Sequence, residues 1–453
     1  MKGLRVFLPA CAVPQPETLR YAQGDGEHPV PVAAARLAVG GIVFAFLIAL
    51  VGCSDSGNPV DPDPDPDPPV GRIPDVVEPD VIVEMPGQKI SQLVGDYDNE
   101  KDEPTANRTF TRYQLRSTDL GVPFQHDGRT WILFGDSFGP KGGDAIAYTT
   151  DVNPEDGLSL DFIEDDAGIY EPVRLPGISQ GAFEVPVEGI DVGGSMYIYH
   201  TTDHSGQVMM GRSVVARSDD GGETFTVLYN LSRKYFINVS IVKVTASNWD
   251  LLPETEGEGL VIFGSGRYRE SDVYLAFQPA SEIENPNAIR YFAGVDEPGE
   301  PLWSDDELDA LPVFEHPCVG ELSASFNTFI DKWILLYNCG QPRGITLRTA
   351  GFPWGPWTRS QILFHPWDDG GYCNFMHVNW QNQQCDSVHD PGRENEWGGE
   401  YGPYQFEHLA TGDDQSTTIY FTMSTWNPYT VVLMKGSLRK TTQAAGLLAG
   451  KPL

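Results

Sequence analysis

The chain has 453 residues, enough for a large hydrophobic core in one or two domains. Aromatic residues make up 11%, and 48 glycines and 36 prolines give a turn-rich composition that favours an all-β fold over a helical one. The 64 acidic residues outnumber 30 basic ones, and the net charge of -34 excludes nucleic acid and other polyanions while leaving neutral or cationic partners.

The N-terminal segment has the pattern of an export signal. Arg36 precedes an apolar run at residues 37–52, which is short for a transmembrane helix and typical of a signal-peptide core. Residues 50–53 (LVGC) resemble a bacterial lipobox, in which the mature chain begins at the cysteine and carries lipid on its thiol. We therefore predict a signal peptide over residues 1–53 and an exported protein, anchored through lipid on Cys53 at the bacterial cell envelope or cell surface. An uncleaved short anchor is the alternative.

A tether is expected to follow the signal peptide. Residues 61–69 (DPDPDPDPP) alternate Asp with Pro, which prevents both helix and sheet, and the like charges extend the chain. We predict a disordered tether over residues 54–90, a folded domain over residues 91–440 and a tail over residues 441–453. The lipid would hold this domain at a membrane surface, with no segment crossing the membrane.

The cysteines fit an oxidising compartment. Apart from two in the leader, the chain has four, Cys318, Cys339, Cys373 and Cys385. The favoured disulfides are Cys318–Cys339 and Cys373–Cys385, because each closes a short local loop. A zinc site is less expected because the chain has no C-x-x-C pair.

One strand pattern recurs five times. Each copy has an apolar, aromatic strand followed by a short polar segment and a second apolar strand. The aromatic strands are at 131–134 (WILF), 196–199 (MYIY), 260–263 (LVIF), 333–337 (WILLY) and 418–421 (TIYF), about 65 to 85 residues apart. A strand meander with this period predicts an all-β, five-bladed β-propeller. A β-sandwich or two separate β-domains is the alternative.

Polar residues occur near the start of the first strand of each copy, which in a propeller lines the central channel. They are Asp119, Glu184, Asn238, Glu321 and, in the fifth copy, the segment 401–404 (YGPY) with Tyr401 and Tyr404. Side chains from different blades would therefore converge on one end of the channel, as a pocket for a polar ligand requires.

The first hairpin brings two acids together. If Asp127-Gly128 is a two-residue turn, Asp119 lies directly opposite Asp136, with Cβ atoms roughly 4.5–5.5 Å apart. The same numbering about the second turn pairs Glu184 with Asp203. Apposed carboxylates destabilise a hairpin, and such pairs perform glycoside hydrolysis, in which one protonates the leaving oxygen while the other attacks or activates water. The structural alternative is that each acid caps a turn.

Several motifs together resemble a known family. They are TDLGVPF and ILFGDSF in the first copy, GELSASFN and WILLYN in the fourth, and YGPY with STWNPYTVVLMK in the fifth. They resemble the bacterial endo-D-arabinanases, glycoside hydrolase family 183, formerly domain of unknown function 4185. The resemblance implies a five-bladed propeller that hydrolyses internal α-D-arabinofuranosyl linkages of D-arabinan, the neutral polymer of mycobacterial arabinogalactan and lipoarabinomannan. It also implies that Asp119 and Asp136 are catalytic, with Ser137 where the family often has Thr.

The remaining expectations concern binding and competing functions. Trp426 and Asn427 are candidates to contact sugar, while Glu184 and Glu321 are candidates to bind sugar hydroxyls or to serve as an alternative acid. No cofactor and no metal ion is expected, since the histidines show no convincing ligand spacing. The expected partner is an arabinan-type polysaccharide. A non-catalytic glycan-binding surface lipoprotein is the main alternative, and a sialidase-like enzyme, suggested by the hairpin turn at residues 218–225 (SDDGGETF), is the least favoured.

Overall fold

The computed structural model describes residues 71–340, 343–379, 385 and 396–441. The predicted signal peptide, Cys53, the tether up to residue 70 and the tail from residue 442 lie outside the described residues. Among the described residues, no helix has the length and apolar character needed to cross a membrane.

Five antiparallel sheets form the five blades of a β-propeller, which confirms the predicted fold. Blade 1 contains Ser117–His126, Arg129–Phe138, Ile146–Thr149 and Asp161–Phe162. Blade 2 contains Pro186–Val192, Ser195–Thr202, Arg212–Ser218 and Thr226–Ser232. Blade 3 contains Asn238–Thr245, Glu258–Ser265, Ser271–Pro279, Arg290–Val295 and Pro301–Ser304, with Phe314–Val319 also paired to its third strand. Blade 4 contains Leu322–Asn327, Lys332–Asn338, Ile345–Ala350 and Gln361–Phe364.

The last blade combines strands from both ends of the described chain. Blade 5 contains Glu400–Gln405, Ser416–Thr425, Thr430–Lys440 and Val81–Gln92, with the short Thr411–Gly412 at its edge. Val81–Gln92 pairs antiparallel with Thr430–Lys440 along its whole length. The prediction of a tether as far as residue 90 is therefore wrong. Val81 is fully buried and Ile90 is nearly so. Their apolar surface stabilises the fold only when a strand from the other end of the chain covers it.

The elements outside the blades are short. A two-stranded ribbon pairs Tyr97–Asp98 with Glu103–Pro104, and the described α-helix is Thr109–Tyr113. The 3-10 turns are Pro154–Asp156, Ala246–Asn248, Ala280–Glu282, Pro286–Ala288, Glu307–Asp309 and Glu407–Leu409.

Aromatic side chains fill the spaces between the blades. Trp333 of blade 4, for example, is fully buried against Phe263 of blade 3, with ring centroids 5.7 Å apart. Burying a large apolar side chain stabilises the fold by about 2–3 kcal/mol, so these layers hold neighbouring blades together. Disulfides join Cys318 to Cys339 and Cys373 to Cys385, the pairs expected from their spacing.

The first strand of each blade contacts the first strands of both neighbouring blades, and together the five surround a central channel. Their starts lie at one mouth of the channel, and their ends lie at the other. The two mouths carry different side chains.

Candidate active site

The hairpin of blade 1 differs from the expected one near its open end. Val122 pairs with Leu133 as predicted, but Asp119 pairs with Gly135, so the predicted direct pairing of Asp119 with Asp136 is wrong. The reason is a bulge at Leu120 and Gly121, whose φ angles of 64° and 85° insert one extra residue into the strand.

Gly135 provides the space for the carboxylate of Asp119. A Cβ atom at this position would lie 2.9 Å from Oδ1 of Asp119 and 2.7 Å from Cγ1 of Val185. Any larger residue would therefore displace the acid. The bulge and the glycine together place Asp119 at the open end of the hairpin, opposite the residue that precedes Asp136.

Asp136 is held in an uncommon backbone conformation, with a φ angle of 42°. Its N–H donates to Oδ1 of Asp144 at 3.0 Å, and its Oδ2 accepts the N–H of Phe183 at 3.1 Å. Burial raises the pKa of Asp136 to about 7, and the Phe183 N–H only partly offsets this rise. Asp136 therefore changes charge near neutral pH.

Asp119 lies deeper and is 8% exposed. Its Oδ2 accepts the phenol O–H of Tyr401 at 2.8 Å, whereas its Oδ1 accepts no hydrogen bond from the described residues. Burial raises the pKa of Asp119 well above its usual range, and the charge of Asp136 raises it further, although the phenols of Tyr429 and Tyr401 favour the ionised form. The two aspartates are therefore coupled, and the ionisation of one opposes that of the other.

A third carboxyl belongs to the same mouth. Glu321, just before the first strand of blade 4, is 2% exposed and accepts the phenol O–H of Tyr268 at 3.0 Å. Its other oxygen lies 3.5 Å from the guanidinium of Arg269, which also covers the rings of Tyr268 and Tyr401. Because the charge of Glu321 contributes to the raised pKa of Asp119, residues from blades 1, 4 and 5 meet here as expected.

Glu184 has a different environment from the one predicted. It precedes the first strand of blade 2 and accepts the hydroxyl of Ser179 at 2.6 Å and the N–H groups of Gly181 and His204 at 2.5 and 2.8 Å. Burial opposes its ionisation, but these donors outweigh burial and lower the pKa of Glu184. The predicted pairing with Asp203 is wrong. The strand begins only at Pro186 with a register shift, and Asp203 binds Arg212 at 2.8 Å.

The other predicted binding residues differ in accessibility. Asn238 is 1% exposed, and its side-chain amide makes no hydrogen bond to the described residues. Tyr404 is buried within the channel. Asn427 is fully buried and donates to the carbonyl of Glu396 at 2.8 Å, so its side chain holds the segment that precedes blade 5. Trp426, in contrast, is 43% exposed at the rim.

Sequence reasoning missed a buried pair behind Asp136. The carboxylate of Asp144, which accepts the Asp136 N–H, lies 3.1 Å from Nε2 of His200 on the second strand of blade 2. Nδ1 of His200 faces the backbone carbonyl of Thr201 at 2.7 Å. Both side chains are at most 2% exposed, and they connect blades 1 and 2 directly behind the acid pair. Asp144, in the GGDAIAY segment after the second strand, was the signal in the sequence for this pair. No local pattern, however, links it to His200, which is 56 residues away.

Tyr429 was also missed as a site residue, although it lies in the STWNPY motif. Its phenol contributes to the electrostatics of Asp119, and its own pKa is raised well above the usual range by burial and by the charge of Asp119. Together with Tyr401 it surrounds Asp119 with phenols.

The opposite mouth of the channel opens into a cavity of about 550 Å³, lined by residues late in the first strands. Glu188 is its most buried acid, 6% exposed, and burial raises its pKa to about 7. Its oxygens accept the N–H groups of Ile241 and Gly189 at 2.8 and 2.9 Å. A smaller cavity of about 360 Å³, lined in part by Tyr429, lies beside the acid pair.

One group of described residues has metal-ligand proximity, namely His316, Cys318 and Cys339. The two sulfur atoms in this group already form a disulfide. The acid pair itself is arranged for proton transfer, since it joins two coupled carboxyls with phenol donors in a buried setting.

Among solved structures, the chain is similar to the GH43_1 enzyme of Xanthomonas citri complexed with xylotriose, with a TM-score of 0.41, 13% identity and coverage of 73% of this chain and 88% of that chain. The GH62 α-L-arabinofuranosidase catalytic domain of Coprinopsis cinerea gives 0.41, 11% identity and coverage of 78% and 97%. The native arabinanase of Bacillus subtilis gives 0.36, 11% and coverage of 73% and 97%.

No curated protein matches the chain. Residues 104–435 match the family described as "Domain of unknown function (DUF4185)". This range covers most of the chain, and it contains the first strand of every blade and both aspartates of the acid pair. The chain therefore belongs to the DUF4185 family.

Proposed function

We propose that this protein is a glycoside hydrolase in which Asp119 and Asp136 are the reacting pair. The observation that carries the proposal is the coupling of two buried carboxyls at one channel mouth, each with a raised pKa. Two acids that cannot easily ionise together hold one proton between them near neutral pH, which is the state that acid-assisted cleavage of a glycosidic bond requires.

The environments of the two acids favour different roles. Asp119 is the deeper of the two, and the charges of Asp136 and Glu321 both oppose its ionisation, so Asp119 holds the proton. Asp136 is more accessible and ionises at about pH 7. In the reaction Asp119 gives its proton to the glycosidic oxygen as the bond to the anomeric carbon breaks. As a nucleophile, Asp136 forms an ester bond to the anomeric carbon, and water then breaks this bond while giving its proton to Asp119. As a base, Asp136 instead takes the proton of the water that attacks the anomeric carbon, and this proton returns to Asp119 before the next cycle.

The proposed substrate is D-arabinan, cut at internal α-D-arabinofuranosyl linkages. The resemblance of the hairpin and STWNPYTVVLMK motifs to endo-D-arabinanases supports this choice. The charge of the site agrees with a neutral polymer, because the guanidinium of Arg269 is paired with Glu321 and packs on two tyrosine rings. A carboxylate-bearing sugar would instead need cations that are available to bind it.

Digestion of purified D-arabinan beside L-arabinan, xylan and β-fructan, with sizing of the products, tests the proposal. We expect oligosaccharides from D-arabinan alone. Cleavage of another polymer would overturn the assigned substrate. Retention on D-arabinan without any cleavage would favour the alternative, a glycan-binding lipoprotein.

We also propose that the protein is exported and anchored through lipid on Cys53. The apolar run and the LVGC motif support this proposal. Metabolic labelling with a radioactive fatty acid should mark the wild-type protein and leave Cys53→Ser unlabelled. Equal labelling of the two proteins would refute lipidation at this residue.

A further inference from the structure

An aromatic cavity adjoins the acid pair on the outside of the channel mouth. Its volume is about 360 Å³, and its lining includes Phe138, Trp426, Tyr429, Arg116 and Ser117. Tyr429 connects it to the site already described, because the same phenol influences the charge of Asp119. Tyr429 therefore belongs both to the lining of this cavity and to the surroundings of Asp119.

Two of the aromatic rings are unusually exposed for their size. Phe138 is 59% exposed and Trp426 is 43% exposed, and both pack edge-to-face on the partly buried Tyr429, with ring centroids 5.4 and 5.9 Å from it. Exposed apolar surface next to a polar cleft is typical of a binding site. Tyr429 thus forms the floor between two open rings.

The rings are held on regular structure. Phe138 ends the second strand of blade 1, two residues after Asp136, and Trp426 directly follows the second strand of blade 5. The backbone N–H of Trp426 donates to the carbonyl of Gly399 at 2.8 Å. Because both positions are fixed by strands, a ligand would meet preformed rings and would lose little free energy in ordering them.

The polar part of the cavity complements hydroxyl groups. Arg116 is the one charged side chain among the described lining residues, and Ser117 contributes a hydroxyl, whereas the Thr430 hydroxyl donates to the carbonyl of Val94 at 2.9 Å. No carboxylate lines the cavity among the described residues, which contrasts with the acidic channel mouth and with the net charge of -34. Flat apolar rings bordered by a few donors suit a sugar, whose ring carries C–H groups on its face and hydroxyls at its edge.

From these observations we infer that Phe138, Trp426 and Tyr429 form an aromatic subsite for one neutral sugar residue of the glycan chain, adjacent to the sugar whose bond is cleaved. The inference rests on the proposed function for the position of the cleaved bond. Occupation of this subsite holds a long chain across the channel mouth and directs cleavage to internal linkages.

Affinity electrophoresis tests binding separately from catalysis. Wild type, Phe138→Ala and Trp426→Ala are run in native gels that contain D-arabinan, with Phe352→Ala as the matched control. Phe352 is 47% exposed on blade 4 and stacks on Trp354, away from the cavity. We expect the wild type and the control to be retarded equally and each cavity variant to bind roughly tenfold more weakly. Equal retardation of all four proteins, or none in the wild type, would overturn the subsite.

Kinetics then distinguish failure of the subsite from failure of the proposed function. We expect both cavity variants to raise KM for D-arabinan roughly tenfold, to leave kcat within about twofold and to cleave an aryl α-D-arabinofuranoside at the wild-type rate. An equal loss on the aryl glycoside would show that the rings act on the reacting groups instead of on a neighbouring sugar. Inactivity of the wild type on every polymer would reject the proposed hydrolase, while the gel result would still decide the binding site.

Discussion

The two mouths of the channel both contain a buried acid, but they satisfy its charge in different ways. At the acid-pair mouth, Oδ1 of Asp119 accepts no hydrogen bond from the described residues and a second carboxyl opposes its ionisation. At the opposite mouth, Glu188 has a backbone N–H on each oxygen, although its cavity is the larger of the two.

Under the proposed function, neither cavity volume nor burial alone distinguishes the reacting acids from Glu188. Burial raises the pKa of Asp136 and of Glu188 to the same value of about 7. Asp136 raises the pKa of a second carboxyl, Asp119, whereas Glu188 accepts a backbone N–H on each of its oxygens. A reactive carboxyl needs an oxygen that is free to bind a substrate, whereas a structural carboxyl needs hydrogen-bond donors on its oxygens.

The largest contrast should come from removing one acid at each mouth. We expect Asp119→Asn and Asp136→Asn each to lower kcat by at least about a thousandfold, because the proton donor or the negative charge is lost. Glu188→Gln should keep activity within about threefold, since it leaves both reacting groups in place. Initial rates on D-arabinan measure both effects. Full activity of either aspartate variant would reject the pair, and a thousandfold loss in Glu188→Gln would remove the distinction between the mouths.

The buried pair behind Asp136 should show a smaller, signed effect. We expect Asp144→Asn and His200→Gln each to lower kcat by roughly 10–100-fold with little change in KM, because Asp144 orients the Asp136 backbone and His200 orients Asp144. Their pH profiles should shift in opposite directions. Asp144 raises and His200 lowers the pKa of Asp136, so the acid limb of kcat/KM should move down in the first variant and up in the second.

Lys243→Ala, at the opposite mouth, is the control for this pair because it changes a charge that lines the other cavity. Shifts of the same sign in Asp144→Asn and His200→Gln would mean that these residues only support the fold. The direction of the shift therefore separates a positioning role from a purely structural one.

The pH profile of the wild type should report Asp136. We expect kcat/KM to fall about tenfold for each pH unit below about 7, because protonation removes the charge of Asp136. Glu188→Gln should leave this limb unchanged, even though Glu188 titrates in the same range. Loss of the acid limb in Glu188→Gln would assign the titration to Glu188 and would contradict the prediction.

The smallest effect should be on stability. The pKa of folded Asp136 lies above the usual value of 3.8, so its contribution to stability is fully present below about pH 4 and is lost as pH rises through 7. Asp136→Asn should therefore be more stable than the wild type at pH 8, by a few kcal/mol, and should show no gain at pH 4. Urea unfolding at both pH values measures the difference.

Glu188→Gln provides the comparison for stability. It removes a similar titration, but one of its two polar atoms becomes an N–H donor that faces the N–H of Ile241 or Gly189. The lost hydrogen bond offsets the gain at pH 8, and we expect no net stabilisation. Equal stabilisation by the two substitutions would show that the donors on Glu188 contribute little.

The sequence predicted the five blades because one strand pattern repeats and each copy carries its own local signal. The same repeat correctly brought Asp119, Glu321 and Tyr401 to one mouth. The predictions that went wrong depend on other kinds of information. The register of the first hairpin depends on left-handed backbone angles at Leu120 and Gly121, and Leu120 gives no signal for such an angle.

Two further features depend on contacts between distant parts of the chain. Val81–Gln92 forms a strand because it pairs with Thr430–Lys440, which lies far away in the sequence. Without that partner, its proline-containing sequence resembles a continuation of the tether. The pair of Asp144 and His200 joins different blades, and only their packing brings the two side chains together. Local patterns can therefore place a residue on a strand, but they do not show which side chain lies behind it.

The clasp between Val81–Gln92 and Thr430–Lys440 also brings the two ends of the propeller together. The N–H of Thr441 donates to the carbonyl of Asp80 at 2.8 Å, so a short peptide linker could join these positions without moving a blade. A circular permutant linked there and opened in the segment between Ser232 and Asn238 would begin at blade 3 and would complete every sheet from contiguous sequence. The position of the chain ends in blade 5 is therefore one of several that the ring of blades allows.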